Sequence, residues 1–144
     1  IYFEYLDGAI MLIRRKYFNL VNKFDEKFFF YSEEVDFFYR LRKHKIKYYI
    51  FTPSKVIHFR GGHSIVKNFE KDKKFFKLKF QSRLIFLKKH RSKKYNYLLL
   101  RLEMLFNLYV LGILSILTIF NDKLKYKQKY FKFIYNLYLN EIKK

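Results

Sequence analysis

Five of the chain's twelve carboxylates, Asp25, Glu26, Glu33, Glu34 and Asp36, fall within one twelve-residue window. Carboxylates in a cluster suit general acid–base work on a hydroxyl, or the handling of a metal-bound phosphate. Glu33 and Glu34 are adjacent and follow Ser32, a residue type that starts helices. A structural explanation competes. Acids in a first helical turn complement the positive end of the helix dipole, and Asp36 stands four residues from Arg40, the spacing of a helical ion pair. The structural reading is preferred for Asp25, Glu26 and Asp36, and the functional one for Glu33 and Glu34. His58 is the second candidate. It ends an expected strand just before Arg60-Gly61-Gly62, and loops at strand ends are where sites are often built. Imidazole beside carboxylates suits a divalent transition metal such as Mn²⁺ better than Ca²⁺. His63 reads as an ordinary loop residue. His44 and His90, set in basic runs, read as solvated.

The elements that must position these residues read as mixed α/β over residues 1–65. Gly8 to Ile13 is a short apolar run suited to a buried strand. Tyr17 to Val21 suits a helical turn, and Phe24 to Tyr31 an aromatic-rich loop. Ser32 is the expected N-cap of a helix running to about Lys43, with Val35, Phe38 and Leu41 on its inner face. Ile46 to Phe51 and Lys55 to Phe59 read as strands around a turn at Pro53, closed by Gly61-Gly62.

A boundary is expected near residues 65–68. Residues 66–144 read as helices. Phe76, Phe80, Leu84 and Leu87 recur at helical spacing. Lys129, Lys132, Asn136, Asn140 and Lys143 form a polar stripe opposite Tyr130, Phe131, Ile134, Leu137, Tyr138 and Ile142. Met104 to Phe120 carries no charge over 17 residues, interrupted only by Asn107, Ser115 and Thr118 as clearly polar residues.

Length and composition bound the possibilities. The 144 residues amount to about one domain. With 51% hydrophobic residues, wholesale disorder is excluded, and without cysteine so are disulfides and thiolate metal sites. The net charge of +20 is uneven, +5 over residues 1–65 and +15 over 66–144. The excess of Lys, Phe and Tyr beside a single Ala is a profile that an A/T-rich genome imposes, so bulk charge alone argues weakly for nucleic acid.

The ordered blocks carry more. Asp7-Gly8-Ala9-Ile10-Met11-Leu12-Ile13-Arg14-Arg15 is followed by Phe24-Asp25-Glu26-Lys27-Phe28-Phe29-Phe30-Tyr31-Ser32-Glu33-Glu34-Val35-Asp36-Phe37. Arg40-Leu41-Arg42, Pro53 and Val56-Ile57-His58 come next. This series resembles the C-terminal half of a family 2 glycosyltransferase, in particular the bacterial rhamnosyltransferase-like branch of surface-polysaccharide assembly. The resemblance covers about residues 7–90, and Gln81 to His90 resembles the segment after the catalytic domain.

The resemblance implies a GT-A, Rossmann-like α/β fold, of which residues 1–65 are the acceptor-side half. An α-helical, membrane-associating extension follows. By position it implies Glu34 as the base on the acceptor hydroxyl and His58 as a ligand of catalytic Mn²⁺ or Mg²⁺. Glu33, Asp36, Gly8 and Asp25 are the implied active-site support. The implied reaction moves a sugar, rhamnose in that branch, with inversion from a nucleotide-sugar donor to a lipid-linked or polysaccharide acceptor. Two departures stand out. The family's D-x-D motif is absent, so no nucleotide-binding residue is assigned and the chain is expected to be inactive alone. Glu34 replaces the family's Asp and is longer by one methylene.

A second class of reading is a non-catalytic, membrane-associated structural or interaction protein, and a nucleic-acid binder is third. Residues 104–120 would extend about 25 Å as a helix, at the short end of a bilayer core. An interfacial helix is placed slightly ahead of a span, with a soluble core helix third. The expected location is the cytoplasmic face of a bacterial plasma membrane, against anionic lipid, with no nucleic-acid partner.

Overall fold

The computed structural model describes residues 8, 10–50, 53, 55, 57 and 69–143. The chain divides into two compact units, residues 1–66 and 67–144. Among the described residues 73% are helical and none lies in a strand, so the architecture is all-α. This corrects the α/β, Rossmann-like expectation.

The first unit contains α1, Arg15–Leu20, and α2, Glu33–Lys43. Its core is Val21, Phe37, Phe38 and Leu41, with Met11, Ile13, Phe18, Phe24, Ile46 and Tyr48 packed around it. The physical reason for the missing sheet is visible here. Met11 and Ile13 are partly buried while Leu12 is fully exposed; Ile46 and Tyr48 are partly buried while Lys47 and Tyr49 are exposed. A two-residue alternation of inward and outward side chains is therefore present along both expected strands. Alternation places side chains, but a strand also needs a neighbour for its N–H and C=O groups. Among the described residues no ladder forms along either segment. The expected strand at 55–59 lies mostly outside the described residues.

Helix α2 ends close to where its sequence indicates. Lys45 adopts a left-handed φ of 55°, and the Ile46 N–H donates to the Leu41 carbonyl at 3.1 Å. That wrap closes the helix in the manner of a Schellman motif. The start differs from expectation. Ser32 occupies the N-cap position at φ 68°, but its side chain accepts no cap hydrogen bond. The inner face is also shifted. Phe37 is completely buried, and Val35 is only partly so.

The second unit contains α3, Phe69–His90, α4, Lys93–Phe120, a 3₁₀ turn at Asp122–Leu124, and α5, Lys125–Ile142. Ser92 caps α4 by accepting from the Tyr95 N–H at 3.2 Å. Asn121 holds the turn by accepting from the Lys123 N–H at 3.0 Å. Helices α3 and α5 run parallel, and α4 runs antiparallel to both. Asp72 accepts from Tyr126, Phe80 packs edge-on against Tyr138, and Gln128 donates to Ser115 at 3.1 Å. Leu84, Leu100 and Tyr138 form the core, filled out by Phe80, Met104, Ile134 and Ile142. The polar stripe Lys129, Lys132, Asn136, Asn140 and Lys143 is exposed along its whole length, as its spacing indicates.

Candidate functional site

The acidic window folds into the start of α2 and the loop before it. Asp36 is wholly buried, and its Oδ2 accepts from Arg40 Nε at 2.8 Å, within an ion pair of the same length to Nη2. Arg40 also donates to the Val21 carbonyl and stands over the Phe37 ring. The pair thus ties α2 to the turn after α1, and Asp36 works as a strut. Asp25 accepts from the Lys27 N–H at 3.0 Å and shapes its own turn. Glu26 is exposed.

Glu33 and Glu34 open α2, both partly buried. Among the described residues, Glu33 Oε2 is shielded from water and accepts no hydrogen bond. Gly8 is brought against Glu34. A Cβ at residue 8 would lie 3.2 Å from the Glu34 Cβ and 3.6 Å from the Met11 Cε. Only glycine permits that approach without displacement, because the Glu34 Cβ is fixed by its helix. The structure therefore joins three candidates read from the sequence, Gly8, Glu33 and Glu34, and gives Asp25 and Asp36 structural work. His58 lies outside the described residues, as do Gly61-Gly62 and His63. Among the described residues no three His, Asp or Glu side chains converge as a divalent cation requires.

The second unit has a different chemical character. Helix α4 is, among the described residues, the one helix long and apolar enough to cross a membrane, and only 11% of its most apolar 18-residue stretch is buried. Leu102, Leu105, Phe106, Tyr109, Ile116 and Phe120 are all more than half exposed. The polar interruptions are neutralised within the helix. Asn107 donates to the Glu103 carbonyl at 2.7 Å, Ser115 to the Leu111 carbonyl at 2.8 Å, and Thr118 to the Ser115 carbonyl at 3.1 Å. Such self-satisfied side chains cost little in an apolar medium.

The chain matches no known protein family, curated protein or solved structure.

One cluster escaped the sequence reading. Arg83 on α3 forms a forked ion pair with Glu103 on α4, donating to Oε2 at 2.7 Å, and reaches the Tyr138 hydroxyl on α5 at 3.1 Å. The signal was Glu103 itself, the only acid between Asp72 and Asp122. A lone carboxylate on a helix with an apolar face asks for a cation. Burial pushes the Tyr138 hydroxyl up to about 12, with the Glu103 carboxylate adding to the shift and Arg83 opposing it. A folded value above the unfolded one means stability that is complete below pH 10 and lost as pH rises toward 12. For Tyr138, 7% exposed, the loss amounts to roughly 2–3 kcal/mol. Tyr126 and Tyr130 are shifted in the same direction, by the Asp72 hydrogen bond and by burial respectively. Thermal melts followed by circular dichroism are expected to fall steeply between pH 10 and 12, and Tyr138→Phe to flatten that fall. A melting temperature unchanged over this range would contradict the burial of Tyr138.

Proposed function

We propose that this chain takes part in sugar transfer at a membrane surface. It would move a sugar, rhamnose being the foremost candidate, from a nucleotide-sugar donor to a lipid-linked or polysaccharide acceptor. The work would lie at the cytoplasmic face of a bacterial plasma membrane, in surface-polysaccharide assembly. The observation that carries the reading is the juxtaposition of Gly8 with Glu34 at the start of α2, since both residues belong to the ordered blocks that resemble family 2 glycosyltransferases. In the proposed step the Glu34 carboxylate takes the proton of the acceptor hydroxyl. The acceptor oxygen bonds to the anomeric carbon from the face opposite the leaving group, and the bond from that carbon to the nucleoside diphosphate breaks. Inversion follows from that in-line geometry.

A membrane location is supported by the outer surface of α4 and by the net charge of +15 over residues 66–144. Anionic lipid attracts such a surface at about 1 kcal/mol per Lys or Arg close to it. The same surface supports a second reading, a non-catalytic membrane-associated protein, because lipid contact requires no carboxylate. The two separate in one assay. The protein, with any sequence preceding Ile1 restored, is bound to vesicles containing lipid-linked acceptor and given nucleotide sugar. Sugar transfer that disappears in Glu34→Gln while vesicle binding stays intact supports the enzyme. Vesicle binding without transfer in the unsubstituted protein supports the second reading.

A further inference from the structure

We infer that α4 lies along the surface of an anionic bilayer, with its outer face in a single leaflet, and that its pairing with α5 prevents it from crossing. This rests on the membrane reading above and adds the topology. Length and composition alone permit a span: 28 residues of helix extend about 42 Å, more than a hydrocarbon core needs. The neighbours of α4 decide against it.

The charge-free segment 104–120 does not stand alone. Gln128 lies beside Ser115, and Tyr138 beside Leu100, so α5 runs along this segment for its whole length. Over that stretch α5 carries Lys125, Lys127, Lys129 and Lys132, all exposed. Helix α3 lies at the same level, since Asp72 meets Tyr126 and Arg83 meets Glu103. It adds four exposed lysines between residues 73 and 79. A transmembrane α4 would carry these eight ammonium groups into hydrocarbon, or would have to abandon both partners. Lys73 pairs with Glu70 and Lys125 with Asp122, but all eight side chains face outward, and a hydrocarbon core takes charges only where they face the bundle interior or a water-filled cavity.

An in-plane helix meets neither difficulty. The inner stripe of α4, marked by buried Leu100, Asn107 and Leu114, faces the rest of its unit. The opposite surface is apolar from Leu102 to Phe120. Packed helices sit about 8–10 Å apart, so lysines on α3 and α5 would stand at headgroup depth with flexible stems to reach phosphates. Tyr95 and Tyr97, half exposed near the start of α4, are residue types found at that level. An apolar face on one side and lysines on the other is the pattern of helices bound in the interface.

The absence of cysteine makes the test direct, because any introduced thiol is the only one. Lys94→Cys and Lys123→Cys mark the two ends of α4 at exposed positions. The full chain is expressed in a bacterial host, and sealed inverted inner-membrane vesicles are treated with a membrane-impermeant maleimide, with and without detergent. The expected result is that the chain cosediments with the vesicles, that both variants label equally, and that detergent raises neither. A thiol at one end that reacts only after detergent would show that α4 crosses, overturning the topology while leaving the membrane reading intact. A chain found in the soluble fraction at low salt would overturn both. As a second readout on purified protein, Leu105→Trp should be quenched by brominated lipid and Asn136→Trp should not. Equal quenching of the two would also overturn the in-plane arrangement.

Discussion

Replacing Asp36 with alanine is expected to cost the first unit about 3–5 kcal/mol, enough to melt α2 locally. Domains of ordinary size are stable by only about 5–15 kcal/mol. The magnitude follows from what remains behind. Arg40 has a side chain only 15% exposed, and it is held by a carboxylate that is wholly buried. Removing one member of such a pair strands the other charge away from water, which costs far more than the intact pair contributes. Arg40 also loses the group that aims it at the Val21 carbonyl, so the contact between α2 and the turn after α1 goes with it. Amide hydrogen exchange across α2 in the full chain measures the effect, since it reads this unit separately from residues 67–144. Replacing both partners by leucine is expected to recover much of the loss, because an apolar pair leaves no stranded charge. An Asp36→Ala cost below about 1 kcal/mol would place the pair among exposed ion pairs and remove its role as a strut.

The same ion pair shows what the sequence reveals well. Its i,i+4 spacing is a local property, and local properties survive into the structure. So does the helical periodicity of the second unit, where the expected inner residues Phe80, Leu84 and Tyr138 meet in one core. The first unit shows where local pattern stops. Met11, Ile13, Ile46 and Tyr48 alternate inward as a strand's side chains would, but alternation encodes a side-chain face and not a hydrogen-bonding neighbour. Phe37 rather than Val35 joins Phe38 and Leu41 on the inner face, because the adjacent aromatics of a short helix leave that face ambiguous from spacing alone. The Arg83–Glu103 pair joins residues 20 apart on two helices, and no periodicity links such positions. Gly8 and Glu34 belong to separate blocks in the sequence. Only the folded chain brings them so close that a Cβ at residue 8 would lie 3.2 Å from the Glu34 Cβ.

In the proposed reaction, assayed with any sequence preceding Ile1 restored, Glu34→Gln is expected to lower sugar transfer by about 10²–10⁴-fold, the usual contribution of a positioned general base, with the fold unchanged. Glutamine keeps the size of the side chain and cannot accept the acceptor proton. This result alone would not exclude an electrostatic role at the helix start. Glu34→Asp separates the two. As a first-turn acid, aspartate serves a helix dipole as well as glutamate does, at a difference of a few tenths of a kcal/mol. As a base the carboxylate withdraws by about one C–C bond, and a misplacement near 1 Å costs on the order of 10²-fold. A Gly8→Ala variant would bring a Cβ to 3.2 Å from the Glu34 Cβ, so residue 8 leaves little room for the helix start to shift and restore the lost reach. Transfer rates for the three proteins at saturating acceptor, beside their melting temperatures, decide the matter. A rate ordered Glu well above Asp, with Gln lowest and all three equally stable, supports a base at Glu34. Equal rates for Glu and Asp, with a small common loss in Gln, would leave Glu34 as a helix-start charge and move the search for the base to Glu33, whose shielded Oε2 lies at the same helix end.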